Sequence, residues 1–569
     1  MKYRSWGLLL ALLLGSMACR PTLPAGTYNA TKSLVADQAM VVSPHPIASE
    51  IGVAILKKGG NAVDAAIAVQ FAIAVCYPRA GNIGGGGFMV IRQQDGTTDA
   101  LDYREKAPLK AHRDMYLDSL GNVVEGLSTG GHLAAGVPGT VAGLLAAHER
   151  YGRLPLRELI QPAIQLASTG YAITETEANR LQNFQEAFRQ HNDTPNPFIK
   201  NNWQTGDRLI QPELAQTLLR IQQQGRAGFY EGPTADAIVA EMQSGNGIIS
   251  YEDLKNYAPA WRQPLVGNYK DYRVISMPPS SSGGVALLQM LGMVESFPLS
   301  EMGFHSPAAV HLMAEAERRA YADRAEHLGD SDFYQVPINL LIDEAYLQNR
   351  MSDFSANAAT VSDLISAGNF NVVKEHFETT HTSVVDAEGN AVSVTTTLNS
   401  NFGCKVWVDG AGFFLNNEMD DFSVKPGVPN QFGLVGAEAN AIAPSKRMLS
   451  SMTPTIIEKN GAVFMVIGAP GGSTIITAVF QVFLNVVEFG MPLDEAVHAG
   501  RFHHQWLPDQ IMVEKTALDS LTRQTLTSMG HTFREVNSMA VIKAIQRLPD
   551  GRLHGAGDPR NPDDTATGY

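Results

Sequence analysis

The chain has 569 residues, 44% of them hydrophobic and 18% charged. It can bury a large core, and its charge density is too low for an intrinsically disordered chain. A formal net charge of −14 repels phosphate backbones and argues against nucleic acid as a partner. Three cysteines cannot build a disulfide framework, and 52 glycines without a three-residue period exclude collagen.

Lys2 and Arg4 precede an apolar run over residues 6–18. The run is shorter than the ~20 residues that span a bilayer and has the build of a secretory signal. Ser16 and Ala18 suit cleavage after residue 18, so the protein is expected to be exported. Two forms of export stay open at this point. One is plain cleavage and a soluble periplasmic protein. The other is a bacterial lipoprotein signal, with Cys19 lipidated and the mature chain tethered to a membrane through lipid. No later segment is long and apolar enough to span.

Helical spacing over 47–58 stops at Gly59-Gly60, a helix C-terminus signal. Asn61, with Asp64 three residues on, predicts the cap of a second helix over 62–77, apolar almost all round and ended by Pro78. Cys76 inside that helix and Cys404 in a glycine-containing loop read as free thiols. The glycine-rich run 81–87 leads into strands over 88–92 and 98–104, around the turn Asp95-Gly96. A strand follows those glycines where a dinucleotide fingerprint would have a helix, so no nicotinamide site is expected. Residues 130–350 are helix-rich, with helices over 141–151 and 308–327.

From Thr379 the texture changes to short runs rich in Val and Thr. Runs over 382–386 and 391–398 predict a hairpin. Taking Glu388-Gly389 as a two-residue turn puts Thr379 opposite Leu398, beside Thr397. Thr395, Thr397 and Asn399 then share one face, although a Thr-rich edge strand explains the pattern too. Strands over 452–457 and 462–468 flank Lys459-Asn460-Gly461. A helix over 473–489 is closed by Gly490. Helical layers on antiparallel sheets, an α+β fold with no linker dividing it, follow from this order.

Ser450-Ser451 stand just before a strand. Residues 468–474 form a strand-to-helix turn whose N–H groups suit an anion. It is either that or a tight turn only, and it lacks the lysine of a P-loop. The 15 histidines show no His-Glu-x-x-His pattern, and there is no Gly-x-Ser-x-Gly elbow. Neither a metal nor a cofactor is expected.

The run Thr379-Thr380-His381-Thr382-Ser383-Val384-Val385-Asp386 resembles the start of the small subunit of γ-glutamyltransferases (γ-glutamyltranspeptidases). The likeness continues through Asn416 to Ser423, Lys425-Pro426-Gly427, Ser450 to Thr455, Gly471-Gly472-Ser473, Arg501 to His504 and Asp558-Pro559-Arg560. Upstream, Gly59 to Ala66 and Tyr103-Arg104-Glu105 also fit. It covers nearly everything after about residue 35.

The resemblance implies a four-layer αββα N-terminal-nucleophile hydrolase, made as one chain that cuts itself between Glu378 and Thr379. Residues 19–378 would be the large subunit and 379–569 the small subunit of one catalytic heterodimer. Cleavage frees the α-amine of Thr379. A neutral amine with a pKa near 8 can take the hydroxyl proton, so Thr379 becomes nucleophile and base. Thr397 would orient it, and Gly471 and Gly472 would hold the oxyanion.

For the γ-glutamyl group, the resemblance implies that Arg104 clamps the α-carboxylate with Ser450 and Ser451. Glu418, Asp421 and Asn399 would take the α-ammonium. Residues 426–440 resemble a lid, with Phe432 where several members carry Tyr. The implied activity is transfer of the γ-glutamyl group from glutathione and related compounds to water, amino acids or dipeptides. A glutaryl β-lactam acylase and a non-processing lipoprotein that binds γ-glutamyl peptides are the alternatives.

Overall fold

The computed structural model describes residues 28–365 and 379–569. The expected signal over 1–18, Cys19 and Glu378 lie outside the described residues. Two seven-stranded sheets stack on each other. The first runs Thr565–Gly568, Met40–Ser43, Thr380–Val385, Ala391–Thr397, Gly86–Arg92, Thr98–Asp102, Ala260–Arg262. The second runs Ser33–Ala36, Leu553–Gly557, Lys543–Arg547, Ala462–Gly468, Thr455–Lys459, Tyr272–Ser276, Leu265–Tyr269. Every pairing inside both sheets is antiparallel.

Helices close both outer faces. Pro46–Lys57 and Ala62–Cys76 pack on the first sheet, and Gly283–Val294, Thr474–Val487 and Leu493–His498 on the second. The result is the four-layer αββα arrangement. Strands covered on both faces lose the alternation of a half-exposed sheet, and every residue of Thr380–Val385 and Ala391–Thr397 is buried.

Local chemistry explains the elements that carry the site. Asn61 Oδ1 accepts from Asp64 N at 2.9 Å, and Asp64 Oδ2 accepts from Asn61 N at 3.0 Å. This reciprocal cap starts Ala62–Cys76, and all fifteen residues of the helix are buried. Cys76 and Cys404 are free, buried thiols.

The helix Pro307–His327 is less usual, because it buries charges. Arg319 reaches Glu315 at 2.6 Å, Asp323 pairs with Arg350 at 3.0 Å, and Arg318 binds Asp509. Glu317 accepts from His504 N at 2.8 Å. Among the described residues no helix is long and apolar enough to cross a membrane.

The structure corrects several sequence expectations. The strand expected over 452–457 is Thr455–Lys459, since Pro454 has no N–H to give a ladder. The strand over 98–104 stops at Asp102, and the one over 88–92 begins at Gly86. The helices expected over 62–77 and 473–489 are Ala62–Cys76 and Thr474–Val487.

The hairpin register is the correction that matters. Val385 pairs with Ala391 and Thr380 with Thr396, so three residues rather than two lie between the paired ends Asp386 and Asn390. Thr379 therefore continues the ladder opposite Thr397, not Leu398. The cause is Asp386. Its Oδ1 accepts from Glu388 N at 2.9 Å and Asn390 N at 3.0 Å, and Gly389 takes a φ of +87°. That is the three-residue loop with a left-handed last residue. Its Oδ2 accepts from Ala62 N at 2.9 Å, tying the hairpin to the start of the buried helix.

Asp386→Ala strands several donors that are buried against this carboxylate, at about 1–3 kcal/mol each. Chemical denaturation should show a loss of roughly 2–4 kcal/mol, while Asp386→Asn should lose less because it keeps one acceptor. Unchanged stability of the alanine variant would contradict the assignment.

Candidate active site

Thr379, 6% exposed, stands at the head of the hairpin. Its ladder partner position, Thr397, lies where the second strand ends. There the chain turns sharply: Asn399 has a φ of +72°, and its N–H donates to Thr397 Oγ1 at 2.6 Å. Asn399 Nδ2 is held by Asn417 O at 3.1 Å. Thr395, two residues back on the same face, is bonded instead to His381 Nδ1 at 2.8 Å. The Thr row thus divides between a structural member and one at the site.

A dense charge cluster lies beside them. Arg104 follows the strand Thr98–Asp102 and is 1% exposed. Its Nη1 contacts Glu418 at 2.6 Å and Glu105 at 3.6 Å, and its Nη2 binds Asp421. Glu418 and Asp421 are the two ends of a single 3-10 turn, Glu418–Asp421. Burial pushes all three carboxyls up, Glu105 to about 8, against the downward pull of Arg104. Arg104 itself is held further in its charged form by Glu418 and Asp421, which outweigh its own desolvation. One guanidinium thus contacts three carboxyls whose burial favours their protonated forms, and Arg324 also acts on Asp421.

A third element is the turn after Ala462–Gly468. Gly471 has a φ of +143° and Gly472 of +53°, both outside the range of ordinary side chains. A Cβ on Gly471 would also lie 2.7 Å from Ala540 Cα. Neither N–H donates to a protein acceptor among the described residues. The helix Thr474–Val487 starts just beyond without a side-chain cap, so its N-terminal field points the same way.

Ser450 and Ser451 come from the opposite wall. Ser450 N donates to Ser280 O at 3.0 Å, and Met452 N donates to Ser450 Oγ at 3.1 Å.

These groups surround one cavity. Its wall includes Arg104, Thr379, Thr397, Asn399, Asp421, Ser450, Ser451, Gly472 and Phe432. Two expected site residues are not in the wall: Glu418 is fully buried behind Arg104, and Gly471 sits beside Gly472. Residues 426–440 fold across the cavity. Gln431 N donates to Asp420 Oδ2 at 3.0 Å, Asn430 Nδ2 to Asp421 Oδ1 at 3.4 Å, and Phe432 is 4% exposed.

Sequence reasoning missed Asn430, Leu434, Leu449, Met452, Ile475 and Arg324 in the same wall. The first five lie in or beside named motifs and could have been found by proximity. Arg324 could not, since nothing in the helical pattern separates it from Arg318 or Arg319.

Away from the cavity, His311, Glu315 and His531 bring three ligand-type atoms within 4.8 Å of one another. The first two share a helix face; the third is remote in sequence, so a motif search could not see the group. Their atoms are already engaged. His311 contacts His531 at 2.7 Å and Ser355 O at 2.8 Å. Glu315 takes Arg319 at 2.6 Å and Thr360 N at 3.1 Å.

Comparison with known proteins agrees across almost the whole chain. The family model described as gamma-glutamyltranspeptidase matches residues 48–568. The glutathione hydrolase proenzyme of Escherichia coli (strain K12) is 46% identical over 571 residues, covering 99% of this chain and 98% of that one. Among solved structures, cephalosporin acylase from Bacillus halodurans superposes with a TM-score of 0.80 at 26% identity, over 97% of this chain and 99% of that one. The gamma-glutamyltranspeptidase of Helicobacter pylori gives 0.56 at 45% identity, over 61% of this chain and 97% of that one.

Proposed function

The chain belongs to the γ-glutamyltranspeptidase family, and we propose from that premise which residues carry its chemistry. The protein is an enzyme that processes itself and acts as a γ-glutamyltransferase and glutathione hydrolase. The cut falls between Glu378 and Thr379, separating residues 19–378 from 379–569, and the two pieces stay together as one catalytic unit. The observation that carries this reading is the position of Thr379. It heads a buried hairpin at the wall of a cavity, with Thr397 opposite and Gly472 across from it.

Thr379 Oγ1 attacks the γ-amide carbonyl while the freed α-amine takes its proton. Gly471 and Gly472 donate to the oxyanion, each worth roughly 10²–10³ in rate. The leaving amine takes the proton back, and an ester to Thr379 remains. Water then releases glutamate, or the amine of an amino acid or dipeptide accepts the γ-glutamyl group. Asp421 holds the substrate ammonium, with Asn399 beside it and Glu418 behind. Arg104, Ser450 and Ser451 face the carboxylate. Phe432 covers the pocket without a hydroxyl to bond. Because the base is an amine, activity rises with pH as that amine loses its proton.

A glutaryl β-lactam substrate has no ammonium to offer Asp421, which would then have Arg104 as its contact. A binding protein that does not process itself has no use for the Thr379–Thr397 pair or the two positive-φ glycines. For location, we propose that residues 1–18 direct export and that Cys19 carries lipid chains, each buried CH₂ worth ~0.8 kcal/mol of anchoring. The alternative is a soluble periplasmic enzyme.

Three measurements test these assignments. Thr379→Ala should remain a single uncut chain on a denaturing gel; two subunits in that variant would remove Thr379 as the processing nucleophile. The wild type should strongly prefer a γ-glutamyl anilide over a glutaryl anilide, and Asp421→Asn should lose much of that preference. Equal turnover of both by the wild type would favour the acylase. Cys19→Ala should move the enzyme from the membrane pellet to the soluble fraction, and a wild type already wholly soluble would rule out the lipid tether.

A further inference from the structure

The cavity has a second guanidinium, and its surroundings differ from those of Arg104. Arg324 lies in the last turn of Pro307–His327, is 4% exposed and lines the cavity. Its charged neighbours on that helix meet opposite charges: Arg318 and Arg319 at Glu315, and Asp323 at Arg350. Arg324 has no carboxylate within 4.0 Å among the described residues. Its Nε donates to Ser282 Oγ at 2.9 Å and its Nη2 to Ser451 Oγ at 3.2 Å. Asp421 acts on it only from beyond that distance, and a buried cation whose direct partners are neutral hydroxyls is costly unless a ligand brings an anion. Arg104 cannot supply net positive charge to the pocket by itself, because Glu418 and Asp421 already contact it.

The hydroxyls next to Arg324 are oriented to match. Ser451 Oγ accepts from Arg324, and Ser450 Oγ accepts from Met452 N at 3.1 Å. Neither hydroxyl donates to a protein acceptor among the described residues. With lone pairs engaged from behind, each O–H is left to donate into the cavity. Two hydroxyl donors and a guanidinium then converge in the cavity that Asp421 also lines.

We propose that Arg324 is a specificity-determining residue of this active site: it supplies the positive charge that selects an α-carboxylate and positions Ser451 as a donor to it. This rests on the γ-glutamyl reading above and adds to it. The pocket reads a zwitterion at both ends, the ammonium through Asp421 and the carboxylate through Arg104, Ser450 and Ser451 with Arg324 added to them. Arg104 also holds Asp421 and Glu418.

The test compares two anilides on the processed enzyme. One carries a γ-glutamyl group; the other carries a 4-aminobutanoyl group, which keeps the ammonium and lacks the carboxylate. Arg324→Gln should lose about 10- to 150-fold in kcat/KM on the γ-glutamyl anilide, the range of one charge-assisted contact, chiefly through KM. It should change little on the 4-aminobutanoyl anilide. Arg324→Lys should recover part of the loss and shows the same selectivity if the glutamine variant fails to process. In a Ser451→Ala background, Arg324→Gln should cost clearly less than in the wild type, because the two act on one carboxylate. Equal losses on both anilides, or full additivity with Ser451→Ala, would make Arg324 merely structural and overturn the proposal. A processed wild type that turns over neither anilide would overturn the γ-glutamyl reading and this inference together.

Discussion

The ladder between Thr380–Val385 and Ala391–Thr397 is the constraint on which the site depends. It occupies the interior of one sheet, with Met40–Ser43 and Gly86–Arg92 on its two sides. A one-residue slip would turn every side chain to the other face. Asp386 prevents this from the far end of the hairpin, by closing a three-residue loop and binding the first N–H of Ala62–Cys76. At the near end the same register sets Thr379 against Thr397. Precision at the cavity thus depends on a carboxylate at the far end of the hairpin, which touches nothing there.

Around that rigid frame the chain concentrates unbalanced charge. Buried ion pairs elsewhere are closed systems: Lys543 with Asp564 at 3.0 Å, Arg501 with Asp558 at 2.8 Å, Arg92 with Glu458 at 2.8 Å. The cavity is different. Too many carboxyls crowd Arg104, and too few approach Arg324. Removing water makes both imbalances costly. A ligand with a cation at one end and an anion at the other relieves both at once, which is how a small pocket can discriminate without a metal-binding motif.

Much of this was legible in the residues. The capped helix after Asn61, the glycine-rich entry to Gly86–Arg92, the hairpin and the strand-to-helix turn at Gly471-Gly472 each carry a local signal, in caps, turns and left-handed positions. The two-residue turn is a misjudgement because it makes Ala387 the partner of Asn390, whereas Asp386 takes that partner and leaves Ala387 in the loop. That bond joins residues four apart through a side chain, which a turn-length rule does not weigh.

Sequence by itself determined the family and, through that resemblance, the αββα class and the set of motif residues that meet at the cavity. The existence and type of several elements follow from local caps, turns and periodicity, their exact bounds less so. Tertiary structure alone decided that Thr379 faces Thr397 rather than Leu398, that Glu418 lies behind Arg104 rather than in the wall, and that Arg324 enters the pocket. Each of these depends on distances between segments far apart in the chain. Arg324 and Ser451 are separated by 127 positions and meet at 3.2 Å; only the packing of Pro307–His327 brings that arginine to the cavity wall.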